Sequence, residues 1–178
     1  MSEKPSSKAV KIGDRAPDFT LPDQDGKPVS LGELLAEGCV VLFFYPKDDT
    51  PGCTAEACSF RDEYEELSEA GATVVGVSSD DVESHRRFAD KHRLPFRLLS
   101  DRGGDVRRRF GVPKTLGFID GRVTYVIDAQ GVICHVFNSQ LRTGRHVEEA
   151  LRLVRSLQGS AGATSSSASS PKSDKSRT

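Results

Sequence analysis

The sequence predicts an α/β fold in which a mixed central sheet is flanked by helices and preceded by an N-terminal β-hairpin. Two observations predict this fold. Continuous apolar runs such as "CVVLFF" and "ATVVGVS" alternate with segments of helical periodicity, which is typical of strands buried on both faces. Late in the chain, two further runs flank the turn "AQG" and indicate an antiparallel pair in the same sheet.

The first half of the chain supplies the hairpin, two helices and the first central strand. "FTLPDQDGKPVSL" predicts a hairpin whose turn contains Asp25-Gly26, and "LGELLA" predicts a short helix. The run from Cys39 to Tyr45 is the first buried strand. A helix that ends at Gly71 is predicted next, because apolar residues recur at helical spacing at Ala57, Phe60, Tyr64 and Leu67.

The second half repeats the alternation and closes with a helix. "ATVVGVS" is the second buried strand, and Asp80 or Asp81 caps the helix after it. "FRLLSD" predicts a short strand, and "GDVRRRFGV" a short helix that ends at Gly111. "RVTYVID" and "VICHVFN" form the late hairpin. The apolar stripe of the final helix consists of Val147, Ala150, Leu151 and Val154.

Both ends of the chain have the composition of disordered segments. The 178 residues suit one domain with a substantial core, which we place at residues 10–158. Residues 159–178 include eight serines and almost nothing apolar, so they cannot offset their own ordering entropy. Residues 1–9 have the same character. We therefore predict a disordered N-terminal tail and a serine-rich disordered C-terminal tail.

The charge and the apolar pattern exclude several classes of protein. A formal net charge of −1 provides no basic field for nucleic acid or for an anionic membrane. The longest strongly apolar run is far too short to span a bilayer. The N-terminus shows neither an export nor a transit signal, so a reducing, cytoplasmic location is expected. In such a compartment the four cysteines are not expected to form a structural disulfide framework.

The segment "YPKDDTPGCTAEAC" places a cysteine where a thiolate is favoured. Thr50-Pro51 is a good N-cap and first-turn pair, which puts Cys53 in the first turn of a helix. Unpaired backbone N–H groups and the helix dipole favour the thiolate there, and Thr50 is placed to receive the Cys53 N–H. Gly52 removes a side chain that would crowd a small substrate. The alternative is that Cys53 is an ordinary thiol beside a helix start.

Cys58, five positions further on, cannot bridge to Cys53 while the helix is intact. The two Cα atoms of such a pair lie roughly 8.6 Å apart in an α-helix, whereas a disulfide needs less than about 7 Å. A bridge therefore requires that the first turn or two unwind. This favours a dithiol that cycles between a folded reduced form and a locally unfolded oxidised form. The alternative is that Cys58 is a small core residue.

The cysteine segment belongs to a longer stretch, "FFYPKDDTPGCTAEACSFRDEYEEL", which resembles the active-site signature of the peroxiredoxins. It is similar in particular to the group that contains bacterioferritin comigratory protein and plant peroxiredoxin Q. The family motif P-x-x-x-[TS]-x-x-C is met by Pro46, Thr50 and Cys53. Similarity extends through "GDRAPDFTLPDQDG" and "FADKHRLPFRLLSD" and covers roughly residues 11–157.

The resemblance implies a thioredoxin-like fold and thiol-dependent reduction of hydrogen peroxide and organic hydroperoxides to water and alcohols. It makes Cys53 the peroxidatic cysteine and Cys58 the resolving cysteine, joined in an intramolecular disulfide that thioredoxin then reduces. The family's late arginine maps to Arg122 in "GRVTYVIDAQG". No cofactor or metal is required, and a monomer suffices because the bridge is intramolecular.

These roles are chemically consistent. The Cys53 thiolate attacks a peroxide oxygen, and Arg122 stabilises both the thiolate and the departing oxygen. The Thr50 hydroxyl donates to the same oxygens, and Pro46 walls the pocket against water. Cys53 becomes a sulfenic acid, with which Cys58 condenses. For Arg122 the alternative is a solvated surface charge.

Several other chemically capable residues receive only structural interpretations. Cys39 and Cys134 are expected to be core thiols. Glu56 is expected to favour the helix N-terminus, and the alternative is a hydrogen bond within the site. A solvated or half-buried helix face is expected for His85 and His92. An exposed helix face is likewise expected for Arg107–Phe110.

Two alternatives to a peroxidase remain at this point. One is a dithiol–disulfide exchanger that acts on proteins, which the spacing disfavours because that chemistry typically uses Cys-x-x-Cys. The other is a non-enzymatic redox sensor that uses the same disulfide as a switch.

Overall fold

The computed structural model of the chain describes residues 8–162. Most of the two predicted tails, residues 1–7 and 163–178, therefore lies outside the described residues. At the C-terminal boundary the last helix continues to Gly162, past the predicted domain end at residue 158. Near the other boundary the Val10 N–H donates to the Phe110 carbonyl (3.1 Å), which joins the start of the domain to its body.

The elements follow the predicted alternation. The strands are β1 (Thr20–Pro22), β2 (Pro28–Ser30), β3 (Cys39–Phe44), β4 (Ala72–Ser78), β5 (Arg97–Ser100), β6 (Lys114–Thr115), β7 (Ile119–Asp120), β8 (Val123–Ile127) and β9 (Ile133–Asn138). The helices are α1 (Leu31–Ala36), α2 (Pro51–Asp62), α3 (Tyr64–Glu69), α4 (Val82–His92), α5 (Asp105–Phe110) and α6 (Thr143–Gly162).

Five strands form the central sheet in the order β5-β4-β3-β8-β9. Strands β3, β4 and β5 are parallel, whereas β8 pairs antiparallel with β3 and β9 antiparallel with β8. The mixed sheet and the N-terminal hairpin β1–β2 are as the sequence predicts. The small hairpin β6–β7 has no counterpart in the prediction, because each of its strands is only two residues long.

Alternate residues of β3 enter two separate cores, one on each face of the sheet. Val40, Leu42 and Phe44 pack into the core beneath α1 and α5. Val41 and Phe43 enter the core shared by α2, α4 and α6. This two-sided burial explains why the strand is continuously apolar, since neither face meets water.

The predicted single helix up to Gly71 is in fact two helices, a correction to the sequence interpretation. Helix α2 ends at Asp62, and α3 begins at Tyr64 after a break at Glu63. The break allows Leu67 of α3 to join the core that contains Val74 of β4. The spacing of apolar residues does not reveal this break, because both helices contribute apolar residues to the same core.

None of the helices within residues 8–162 combines the length and the apolar character that crossing a bilayer would require.

Candidate active site

The loop that joins β3 to α2 is fixed by the buried carboxylate of Asp48. It accepts hydrogen bonds from the Tyr45 hydroxyl (2.6 Å) and the Ser84 hydroxyl (2.9 Å), and it lies 2.8 Å from His85 Nδ1. The Asp48 N–H donates to Asp80 (2.8 Å). These contacts hold the loop against the start of α4, so the position at which α2 begins is set by packed, fully partnered groups.

Three side chains of this cluster are also candidate ligands for a metal ion. Asp48, Asp80 and His85 offer ligand atoms within 4.8 Å of one another. Those atoms are engaged by neighbouring groups, however: His85 Nε2 lies 3.1 Å from the Leu99 carbonyl, and Asp80 accepts from the Ser78 hydroxyl (2.6 Å). The cluster therefore serves to anchor the loop. His85 is fully buried, so the predicted exposed or half-buried helix face is wrong at this position.

Cys53 lies in the first turn of α2, where the sequence predicts it. Thr50 is the N-cap, with extended backbone, and Pro51 occupies the first turn. The sulfur of Cys53 accepts a hydrogen bond from Arg122 Nη2 at 3.3 Å. A guanidinium at this distance stabilises the thiolate, which is the nucleophilic form of cysteine.

Access to the Cys53 sulfur is narrow. The residue is 2% exposed, a more enclosed position than reactive thiols usually occupy. Its neighbours Pro51 and Gly52 are exposed. A Cβ atom at Gly52 would lie 3.2 Å from Arg122 Nη2, so the glycine leaves space beside the guanidinium that binds the sulfur. The charged partner distinguishes Cys53 from an inert core thiol, and the enclosure favours a small substrate.

The sheet register brings Arg122 to Cys53. Val123 pairs with Phe44, so the residue before β8 lies beside the residue that follows β3. Arg122 is buried there, with Nη2 on Cys53 and Nη1 bonded to the Glu56 carboxylate. The structure thus brings together Cys53 and Arg122, two of the five residues that the sequence singles out.

Glu56 is fully buried behind Arg122, which corrects the role expected from sequence. Its Oε2 binds Arg122, whereas Oε1 makes no hydrogen bond to the described residues and lies 3.5 Å from His146 Nδ1. Burial raises the pKa of Glu56 to about 7, because desolvation outweighs the guanidinium, which lowers it. Residues three apart share a helix face, so the Cys53–Glu56 spacing is the signal that could have placed Glu56 here.

His146 of α6 is buried on the far side of Glu56. Its Nε2 lies 2.8 Å from the Ser139 carbonyl and so carries the hydrogen, while Nδ1 lies 2.7 Å from the Thr124 hydroxyl. Burial lowers the pKa of His146 to about 4. The imidazole is therefore neutral, and Arg122 carries the fixed positive charge of this cluster. No sequence signal points to His146.

A second buried arginine supports the site. Arg107 Nη2 donates to the Tyr45 carbonyl and Nη1 to the Gly121 carbonyl, each at 2.7 Å. Arg107 thereby joins the end of β3 to the residue before Arg122. The predicted exposed face holds for Arg108 and Arg109 but is wrong for Arg107 and Phe110, which are buried.

Thr50 and Pro46 lie at the two ends of the loop between β3 and α2. Neither makes a hydrogen bond to the Cys53 sulfur. The Thr50 hydroxyl donates to the Lys47 carbonyl (2.9 Å) and makes no capping bond, so the expected bond from the Cys53 N–H is absent. Pro46 is half-buried directly after the strand that ends in Phe44 and Tyr45. The hydrogen of the Thr50 hydroxyl is therefore engaged by the Lys47 carbonyl in this structure.

All four cysteines are unbridged, and their surroundings differ. Cys58 is half-buried on α2, with its sulfur 3.9 Å from His92 Nδ1. Burial raises the pKa of the Cys39 thiol to about 11, which makes it a poor nucleophile at neutral pH. Burial and the Asp128 carboxylate raise the pKa of the Cys134 thiol as well.

Comparison with known proteins identifies the family. The model of the AhpC/TSA family matches residues 12–136. The chain belongs to the AhpC/TSA family. Chloroplastic peroxiredoxin Q of Sedum lineare is 52% identical over 150 residues, which cover 84% of this chain and 80% of that one.

Solved structures of peroxiredoxins are similar to this chain in fold and in sequence. Peroxidoxin BcpB from Mycobacterium tuberculosis has a TM-score of 0.78 at 44% identity, over 83% of this chain and 97% of that one. Xanthomonas campestris peroxiredoxin Q has a TM-score of 0.73 at 29% identity, over 79% and 91%. The thioredoxin-like fold is confirmed, and the chain is a peroxiredoxin of the peroxiredoxin Q group: an oxidoreductase that reduces peroxides by thiol chemistry. The peroxidase interpretation is thus favoured over the exchanger and the sensor.

Glu56 is expected to make the stability of this peroxiredoxin depend on pH. Its pKa is about 7 in the folded protein against an ordinary 4.5, so the folded form binds the proton more tightly. The free energy of unfolding should therefore fall as the pH rises through this window, by about 3 kcal/mol at most. Glu56→Gln should abolish this fall, as measured by urea unfolding at several pH values.

The matched control for that experiment is Glu65→Gln, which removes an exposed carboxylate from α3. It should leave the pH dependence of the wild-type protein in place. An identical pH dependence in wild type and Glu56→Gln would contradict the protonation behaviour assigned to Glu56.

Proposed function

We propose that Cys53 is the peroxidatic cysteine, that Arg122 holds its thiolate and that Cys58 is the resolving cysteine. The hydrogen bond from Arg122 Nη2 to the Cys53 sulfur is the observation that supports this assignment most strongly. Burial of both groups strengthens their electrostatic interaction, since little water screens it.

In the first step the Cys53 thiolate attacks one oxygen of the peroxide. The O–O bond breaks, the sulfur becomes a sulfenic acid, and the departing oxygen takes up a proton and leaves as water or alcohol. Negative charge moves from sulfur to oxygen during this step, and the Arg122 guanidinium beside the sulfur stabilises it. Glu56 keeps the guanidinium oriented, Thr50 donates to the peroxide oxygens after rotation, and Pro46 shields the pocket from water.

In the second step Cys58 attacks the sulfenic sulfur, so that a Cys53–Cys58 disulfide forms and water leaves. Helix α2 contains both residues, and a pair spaced in this way lies roughly 8.6 Å apart at Cα while the helix is intact. The first turn must therefore unwind. Pro51 lacks an N–H and Thr50 makes no side-chain cap bond, so few bonds oppose unwinding there.

In the proposed cycle thioredoxin reduces the disulfide, and the substrates are hydrogen peroxide and small organic hydroperoxides. A monomer suffices, because the bridge lies within one chain. The proposed location is a reducing, cytoplasmic compartment, with which four unbridged cysteines are consistent. The Sedum lineare relative is named as chloroplastic.

The Cys58→Ser variant tests the resolving role. It should form the Cys53 sulfenic acid at the wild-type rate but lose thioredoxin-linked turnover, because no intramolecular disulfide can form. The measurement is NADPH consumption with thioredoxin and its reductase, alongside trapping of the sulfenic acid by dimedone. Cys134→Ser, which removes another half-buried thiol, is the matched control and should turn over normally. Normal turnover by Cys58→Ser would exclude Cys58 as the resolving cysteine.

A further inference from the structure

The side chain of His92 lies between a thiol and a carboxylate. Its Nδ1 is 3.9 Å from the Cys58 sulfur, and its Nε2 is 3.6 Å from Asp49 Oδ1. The ring packs edge-on against Phe88, with the ring centroids 5.0 Å apart. The histidine therefore presents one nitrogen to the cysteine and the other to the carboxylate, in an orientation that packing holds.

The half-buried helix face expected for His92 is confirmed, but its neighbours could not be foreseen. No thiol or carboxylate partner is evident for it in the sequence, because Asp49, Cys58 and His92 come from three different segments. The side chain is only 18% exposed, and Nε2 makes no hydrogen bond to the described residues. His92 is therefore a half-buried imidazole with the Cys58 thiol beside one of its nitrogens.

Charged groups from three elements lie around the His92 imidazole. Asp49 faces Nε2, and the Asp49 carboxylate is itself held by Lys91 Nζ at 2.9 Å. His92 is the last residue of α4, where the negative end of the helix dipole stabilises positive charge. Arg61 of α2 is also in contact with His92, and its Nη1 donates to the His92 carbonyl (2.9 Å) rather than to the ring.

We propose that His92 is the general base that activates Cys58 for disulfide formation. This proposal rests on the proposed function, in which Cys58 is the resolving cysteine. Nδ1 removes the Cys58 thiol proton, and the resulting thiolate attacks the sulfenic sulfur of Cys53. The S–S bond forms as the S–O bond breaks, and the hydroxide that leaves takes the proton back from the imidazolium as water.

The geometry of α2 is compatible with this step. Unwinding the first turn moves Cys53, which lies in that turn, whereas Cys58 lies in the second half of the helix. Arg61, one turn beyond Cys58, holds that half to the end of α4 through the His92 carbonyl. Cys58 can therefore remain beside His92 while Cys53 moves towards Cys58.

The His92→Gln variant tests the proposal under single-turnover conditions. Reduced enzyme is mixed with hydrogen peroxide, quenched at intervals with a thiol-alkylating reagent and analysed by mass spectrometry. Loss of the Cys53 thiol should proceed at the wild-type rate, whereas disulfide formation should slow by about 10²-fold, as expected when a general base is lost. The pH dependence of disulfide formation should also lose the inflection contributed by the imidazole.

His135→Gln is the matched control, because His135 of β9 also lies near a carboxylate, 3.8 Å from Glu149. It should form the disulfide at the wild-type rate. Wild-type disulfide formation by His92→Gln at every pH would overturn the proposal, as would an equal slowing of both steps, which indicates a structural effect. If the wild-type enzyme itself forms no Cys53–Cys58 disulfide, the resolving role of Cys58 fails, and the role of His92 fails with it.

Discussion

The Cys53→Ser variant is expected to have no peroxidase activity. A serine hydroxyl is not ionised at neutral pH, so it supplies no anion for Arg122 to hold and no nucleophile to attack the O–O bond. The thioredoxin-coupled assay should show no NADPH consumption above the rate without enzyme after peroxide is added. Cys39→Ser should keep its activity, because burial raises the pKa of that thiol to about 11.

Loss of activity in Cys53→Ser must be separated from loss of structure. Serine and cysteine are close in size, and the pair between Arg122 and Glu56 remains in the variant. The thermal midpoint should therefore stay near that of the wild-type protein. Full turnover by a folded Cys53→Ser variant would refute the assignment of Cys53.

The second large effect is expected from Arg122→Met, which should lower both the rate and the stability. Loss of the guanidinium removes the group that stabilises the developing charge, and such losses typically cost about 10²- to 10³-fold in rate. The same change removes the guanidinium that lowers the pKa of Glu56, so Glu56 becomes a neutral buried acid without its partner, and an unsatisfied buried polar group costs about 1–3 kcal/mol. Peroxide-dependent loss of the Cys53 thiol and urea unfolding measure the two effects.

The double variant Glu56→Met/Arg122→Met separates the two effects. Removal of the carboxyl group along with the guanidinium leaves no unsatisfied buried polar group at either position, so much of the lost stability should return. The rate should stay low, because no cation faces the Cys53 sulfur. Recovery of the rate together with the stability would show that Arg122 acts on the fold alone.

Local patterns in the sequence predict the elements that carry the site. The continuous apolar run predicts β3, and Thr50-Pro51 predicts the start of α2, so the sequence alone places Cys53 in the first turn. Both inferences are reliable because each depends only on residues adjacent in sequence. The strand follows from its continuous apolar run, and the helix start follows from the chemistry of its first residues.

The contacts that join the buried polar groups of the site could not be predicted in this way. Glu56 and Arg122 are 66 positions apart, and the register of β8 on β3 is what brings them together. His146 reaches Glu56 only because α6 packs against α2. Arg107 resembles its exposed neighbours in sequence, and tertiary contacts alone bury it. Such pairings depend on the assembled fold, for which a single sequence gives no local signal.

The most direct test of the assignment is to identify the first sulfur that peroxide oxidises. Reduced Cys58→Ser protein is treated with one equivalent of hydrogen peroxide in the presence of dimedone, digested, and mapped by mass spectrometry. The adduct is expected on Cys53 alone, and it should be absent when Cys53 is also replaced. An adduct on Cys39 or Cys134 with Cys53 still reduced would contradict the central claim that the Cys53 thiolate, held by Arg122, reacts with the peroxide.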